Sequence, residues 1–185
     1  MNQNINSCVV NPEVVVSDEP IVQVSQEYME TLKERAQQNP RRRIRLCAHP
    51  SVNDLLHEML IVHEKGTYVR PHKHFNKTES VHIIDGLVDV VVFDNDGNIA
   101  DVMQMGDYKS GRIFYYRMQY PYFHTLLIHS EILLFHEATN GPFNRADMVF
   151  APWAPEENDS VGCALFIENL TLVAEKFLNM EARKL

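Results

Sequence analysis

Between Met59 and Asn169, short apolar runs alternate with turn residues at roughly eight- to twelve-residue spacing, the pattern of a β-sandwich or barrel. The predicted strands are Met59–His63, Thr67–His74, Ser80–Ile84, Leu87–Asp94, Ile99–Met105, Ile113–Gln119, Phe123–His129, Ile132–Glu137, Asp147–Phe150 and Cys163–Ile167. Asn95-Asp-Gly97 predicts a tight hairpin between two of them. Outside this region the period changes. Ser25 is placed to cap a helix through Gln26–Ala36, with Glu27 in its first turn and Asn39-Pro40 as its stop. Ser51-Val-Asn-Asp54 reads as a capping box for one helical turn. Leu170, Val173, Phe177 and Met180 recur at helical spacing, which predicts an amphipathic C-terminal helix on the barrel or on a partner subunit. The expected division is a flexible arm over 1–20, able to add one edge strand; a helix and lead-in over 21–58; a barrel over 59–169; and a helical tail over 170–185.

Composition narrows the function classes. A chain of 185 residues that is 45% hydrophobic suffices for one core, and with the alternation above the expected fold class is all-β with short flanking helices. A net charge of −8 argues against nucleic-acid or acidic-membrane binding. The three cysteines, Cys8, Cys47 and Cys163, are far apart and form no CxxC pair, which fits a reducing compartment. No signal peptide is read at the N-terminus, and no window approaches the roughly 20 apolar residues of a membrane helix. A cytoplasmic location is expected. Walker, dinucleotide-binding and GxSxG patterns are missing from the sequence.

The chemistry concentrates in Gly66-Thr-Tyr-Val-Arg-Pro-His72-Lys-His74, continuing to Glu79 and Gly86. Residues two apart on a strand share a face, so His72 and His74 can aim both imidazoles at one point. Glu79 opens the next apolar run and can reach that point from a neighbouring strand. His124, just after a proline turn, is a fourth candidate. Three imidazoles and a carboxylate suit one divalent transition metal: iron, manganese, nickel, copper or zinc. An isolated HxH is more often two half-exposed strand residues, and the remaining His57, His63, His82, His129 and His136 are assigned to that ordinary class. The joint spacing favours a metal site over chance.

If His72 faces inward, parity turns Arg70 and Tyr68 inward too. Arg70 then either grips an anionic group or pairs with a surface acid. Tyr68 either donates a proton or packs. His49 and Glu137 are candidate acid–base groups, set against a turn histidine and a strand-end carboxylate. Trp153, between two prolines, is a core plug or lid, or a platform for a sugar ring. The basic run Arg41–Arg45 reads as a solvated flank near acidic side chains, with a diphosphate site as the alternative.

The spacing G-x5-H-x-H-x4-E-x6-G, filled by Gly66, His72, His74, Glu79 and Gly86, resembles the first motif of the cupin superfamily. The second cupin motif matches at His124 alone. Tyr68–His74, the Leu87–Asp94 strand with its hairpin, Glu137 with Gly141-Pro-Phe143, and Phe150-Ala-Pro-Trp153-Ala-Pro are similar to the WbuC-type cupin-fold metalloproteins. That resemblance implies a jelly roll or β-barrel with one metal site. It also implies a homodimer acting on a small ligand, carbohydrate or anionic, such as a sugar or sugar-nucleotide of surface-polysaccharide metabolism. Two alternatives stand beside it: a metal-free nucleotide-sugar isomerase or epimerase, and a non-catalytic barrel that binds a small ligand. Neither an oxygenase nor an isomerase reaction is singled out.

Overall fold

Alternation with a period of two makes each strand amphipathic, and here it supplies both faces of two stacked sheets. The computed structural model describes residue 5 and residues 7–183. Eight strands form the centre: β4 (Leu56–Glu64), β5 (His72–His74), β6 (Glu79–Asp85), β7 (Leu87–Phe93), β8 (Ile99–Gly106), β9 (Tyr115–Met118), β10 (Phe123–Ile128) and β11 (Ile132–Asn140). They pair in the orders β4-β11-β6-β9 and β5-β10-β7-β8. Apart from the β7–β8 hairpin, successive strands thus cross between two four-stranded layers, which is the connectivity of a jelly roll. The first layer is extended by β1 (Ser7–Asn11), β2 (Val14–Ser17) and β3 (Arg43–Cys47), and the second by β12 (Met148–Phe150).

The result is an open sandwich, where the sequence also allowed a closed barrel. Strand β8 meets the segment leading into β9 through the isolated bridge Met105–Ile113, and β3 does not pair with β12. The sheets stay apart because side chains fill the space between them: Met59, Ile61, Val81, Ile83, Val88, Val90, Leu133 and Phe135 form the inner core.

Helices cover the two outer faces. Helix α1 (Gln26–Gln38) is capped by Ser25, whose Oγ accepts from Tyr28 N at 3.2 Å, and it lays Met29, Leu32 and Ala36 on Ile44, Leu46 and Val62. Full burial of a side chain such as Leu32 contributes about 2 kcal/mol. Helix α2 (Ser160–Ala182) lays Leu170 and Ala174 on the outer face of the other sheet, against Val91 and Phe93. The order of layers is helix, sheet, sheet, helix.

Several elements differ from the sequence expectation. Ser7–Asn11 and Val14–Ser17, expected within a flexible arm, form a hairpin whose second strand runs parallel to β3. Val15 and Ser17 are buried by it, which is what holds that segment. The remainder of the arm's first six residues, apart from residue 5, lies outside the described residues. The basic run became part of β3, because Ile44 and Leu46 alternate with the arginines and bury against α1. The lead-in therefore shares a sheet with the barrel region. The predicted strand Thr67–His74 shortens to three residues. Its first half is held instead by Thr125 Oγ1 bonding to Val69 O and by Ala151 N donating to Pro71 O at 2.8 Å. Cys163–Ile167 is helical: Asp159 accepts from Gly162 N at 2.9 Å and starts α2 ten residues before the predicted tail. Ser51–Asp54 makes its capping contacts, yet remains a turn.

Candidate metal centre

Strand β5 is only three residues long, but it is paired on both sides. His72 lies opposite His124 on β10 and opposite Phe150 on β12, while His74 lies opposite Met148. Directly opposed strand residues hold their side chains about 5 Å apart. That pairing brings the ring centroids of His72 and His124 to 4.6 Å, with His72–His74 at 5.0 Å and His74–His124 at 6.0 Å. One ring nitrogen from each of the three lies within 4.8 Å of the others. Lys73 points to the other face, over the Phe123 ring at 4.3 Å.

Backbone carbonyls orient two of these rings. His72 Nδ1 lies 2.8 Å from Arg70 O, and His124 Nδ1 lies 3.1 Å from Tyr122 O. A carbonyl only accepts, so each Nδ1 carries the proton and each Nε2 presents a bare lone pair. Burial reinforces this. It lowers His72 and His74 to about 4 each, with neighbouring imidazoles adding to the effect, and it lowers His124 as well. All three rings are then neutral at ordinary pH, the form that binds a cation.

Glu79 arrives from the opposite sheet rather than from an adjacent strand, as the first residue of β6. Its Oε1 is 3.2 Å from His124 Nε2, and its Oε2 is 3.8 Å from His74 Nε2. Tyr116 donates its hydroxyl to Glu79 Oε1 at 3.3 Å. Burial, followed by the charges of Glu79 and Glu137, pushes that phenol well above its usual range, so it stays a donor. Three neutral imidazoles with a carboxylate beside them are a donor set that fits a first-row divalent ion. Tyr116 escaped the sequence reading, because nothing local shows that it opposes Val81, one step from Glu79.

The other candidates divide. Glu137 faces the interior on β11, one row from Glu79, and its carboxyl is pushed up to about 8 by burial and then by the Glu79 charge, against the pull of Arg45. His49 is stacked flat on His57 with centroids 4.1 Å apart, and its Nδ1 faces the backbone of Glu58. Burial lowers His49 below its ordinary value. His57, treated as ordinary from sequence, is buried, with Nε2 making no hydrogen bond among the described residues. Arg70 lines the cavity, but its guanidinium already bonds Ala154 O at 3.4 Å, lies 4.0 Å from Glu156 and covers the Phe150 ring at 5.0 Å. Residues 67–71 are not a strand, so the parity that would turn Tyr68 inward does not apply. Tyr68 donates to Pro155 O at 2.9 Å and packs edge-on against Phe166 of α2. Trp153 packs among Phe93, Phe123 and Phe166 on the outer face. Neither lines the cavity that holds the histidines. That cavity has a volume of about 1470 Å³ and reaches from His72, His74, His124 and Glu79 past an apolar belt to β3.

Residues 24–105 of the 185 match a family described as a domain of unknown function (DUF6016). No curated protein matches the chain. Solved structures that match include oxalate decarboxylase from Bacillus subtilis, described with Mn(II) centres, at 19% identity and a TM-score of 0.43. The alignment covers 52% of this chain and 24% of that one. Protein SO0799 from Shewanella oneidensis matches at 12% identity and TM-score 0.44, over 53% of this chain and 63% of its own. The capsular polysaccharide assembling protein CapF from Staphylococcus aureus matches at 13% and 0.44, over 53% and 27%. The chain thus spans less than two thirds of each of these proteins. Among the described residues no helix is long and apolar enough to cross a membrane.

Proposed function

We propose that this chain binds one divalent transition-metal ion through Nε2 of His72, His74 and His124, with Glu79 as an additional ligand, and that the centre acts on a small molecule admitted to the cavity. The supporting observation is the convergence of three neutral imidazoles, two of them with Nδ1 turned to a carbonyl so that Nε2 faces the shared point. The spacing that resembles the cupin motif and the jelly-roll strand order agree with this reading. When bound, such an ion supplies Lewis acidity or redox chemistry. The chain's own residues do the rest. Tyr116 steadies Glu79, and Glu137, whose carboxyl burial pushes up in the metal-free chain, lines the same cavity. The apolar inner core keeps bulk water from the far side of the site.

Metal analysis of protein purified without added metal tests this directly. The native chain is expected to carry one ion, and His72→Ala, His74→Ala and His124→Ala each to lose most of it. His82→Ala, at an exposed position on β6, is expected to keep it. Metal contents equal to native in all three triad variants would overturn the reading. Full activity in chelator would instead favour a metal-free isomerase.

A further inference from the structure

Helix α2 is apolar on more sides than its seat on the sheet requires. Leu170 and Ala174 are buried against the sheet. Yet Leu165, Leu172, Val173 and Met180 are 54, 51, 49 and 62% exposed. A helix with one partner carries polar residues on its other side. At 3.6 residues per turn these four, with the exposed Asn169 and Lys176, fall within an arc of about 100° on the solvent side, along about 23 Å of helix. The six are arranged as a palindrome. Leu172 and Val173 flank a midpoint, Asn169 and Lys176 are equally far from it, and so are Leu165 and Met180. Apolar mirrors apolar and polar mirrors polar. Such a stripe is complementary to a copy of itself run in the opposite direction, which is the condition for a two-fold interface. Charge selects that direction. Parallel copies would set Lys176 on the partner's Lys176, whereas antiparallel copies set it on the partner's Asn169, whose side-chain carbonyl accepts from an ammonium. Charge also disfavours a lipid surface as the occupant. Asn169 and Lys176 interrupt the stripe, the exposed Glu168 and Glu175 flank it, and the chain carries a net charge of −8.

We propose that α2 is the interface with a second copy of this chain, the two helices packed antiparallel about the midpoint between Leu172 and Val173. Leu165 then covers the partner's Met180, Leu172 covers the partner's Val173, and Asn169 bonds the partner's Lys176, each contact being made twice. None of the residues of α2 lines the cavity, so this interface stands or falls separately from the metal centre. A stripe of this length is a small interface, so reversible association at micromolar concentration is expected.

Sedimentation equilibrium of the full chain over a concentration series tests it. The native chain is expected to pass reversibly from monomer to dimer. L172D sets a carboxylate against the partner's Val173 on each side of the axis and should weaken the dimer at least about a hundredfold. N169K sets like charges face to face and should weaken it about tenfold. N169K/K176E restores opposite charges across the axis and should bring the dimer back to native strength. These positions are exposed, so circular dichroism and metal content should match native in every variant. The proposal is overturned if the native chain stays monomeric up to high micromolar concentration, if L172D dimerises as tightly as native, or if the double variant is as weak as N169K. Capture of the native chain but not L172D by vesicles of phosphatidylcholine and phosphatidylglycerol would overturn it too, in favour of a lipid surface.

Discussion

At the scale of single residues, two buried groups on the inner face of the larger sheet tie stability to pH in opposite senses. Glu137 is pushed up to about 8 from an ordinary 4.5. The folded chain keeps this proton between those values while the unfolded chain loses it. The stabilising contribution is therefore complete below about 4.5 and is lost as pH rises toward 8. His63 is lowered by burial to about 4 from 6.5, and its ring packs edge-on against Phe135. Here the unfolded chain takes the proton first, so stability is complete above 6.5 and is lost as pH falls toward 4. Each span corresponds to a few kcal/mol, at about 1.4 kcal/mol per pH unit. Urea unfolding across pH 4–9 in chelator should show Glu137→Gln flattening the alkaline loss and His63→Gln reducing the acid loss. If both variants track the native curve, neither proton is held as described. The same depression at His72 and His74 predicts that metal is retained well below pH 6.5, which equilibrium dialysis at stepped pH would show.

At the scale of elements, the two glycines that frame the histidine motif have unequal jobs. Both have a positive φ, +81° at Gly66 and +102° at Gly86, which an L side chain adopts at a cost of about 1–2 kcal/mol. A methyl group on Gly66 would meet nothing closer than Arg42 Nη1 at 3.7 Å, whereas on Gly86 it would run into the Ile132 carbonyl. That carbonyl accepts from Ser130 Oγ at 2.6 Å, and the same Oγ accepts from Leu87 N at 2.9 Å, so the link from β6 to β7 has no room to shift. Gly86→Ala should therefore destabilise the chain by clearly more than Gly66→Ala, read as the difference in urea midpoints. Equal losses would mean that backbone strain alone matters at both turns. The motif spacing disclosed both glycines in the sequence. It could not disclose which of them is packed, because Ser130 and Ile132 lie more than forty residues away along the chain.

At the scale of the whole molecule, the centre joins the two layers: its histidines come from one sheet and Glu79 from the other. An ion held by all four should stabilise the entire sandwich, by about 2.7 kcal/mol at a free concentration one hundred times Kd. For a chain of this size that is a rise in Tm of roughly 5–10 °C. Adding metal to chelator-treated protein should produce it, and Glu79→Gln should shrink it. An unchanged shift in that variant would take Glu79 off the ligand set and leave the triad. Much of this was legible one strand at a time. Period-two alternation located nine of the twelve strands among the described residues, and the spacing of Gly66, His72, His74, Glu79 and Gly86 pointed to the candidate metal residues, since both depend on neighbours in sequence. Residues far apart in the chain became neighbours only on folding. Pairing of β5 with β10 set His124 beside His72, and packing of β6 across the sandwich brought Glu79 from the facing layer. Register carried Tyr116 to Glu79. Local pattern determines which face a side chain takes, but the partner on that face is set by sheet pairing, whose hydrogen bonds join backbone groups and carry no mark in the local sequence.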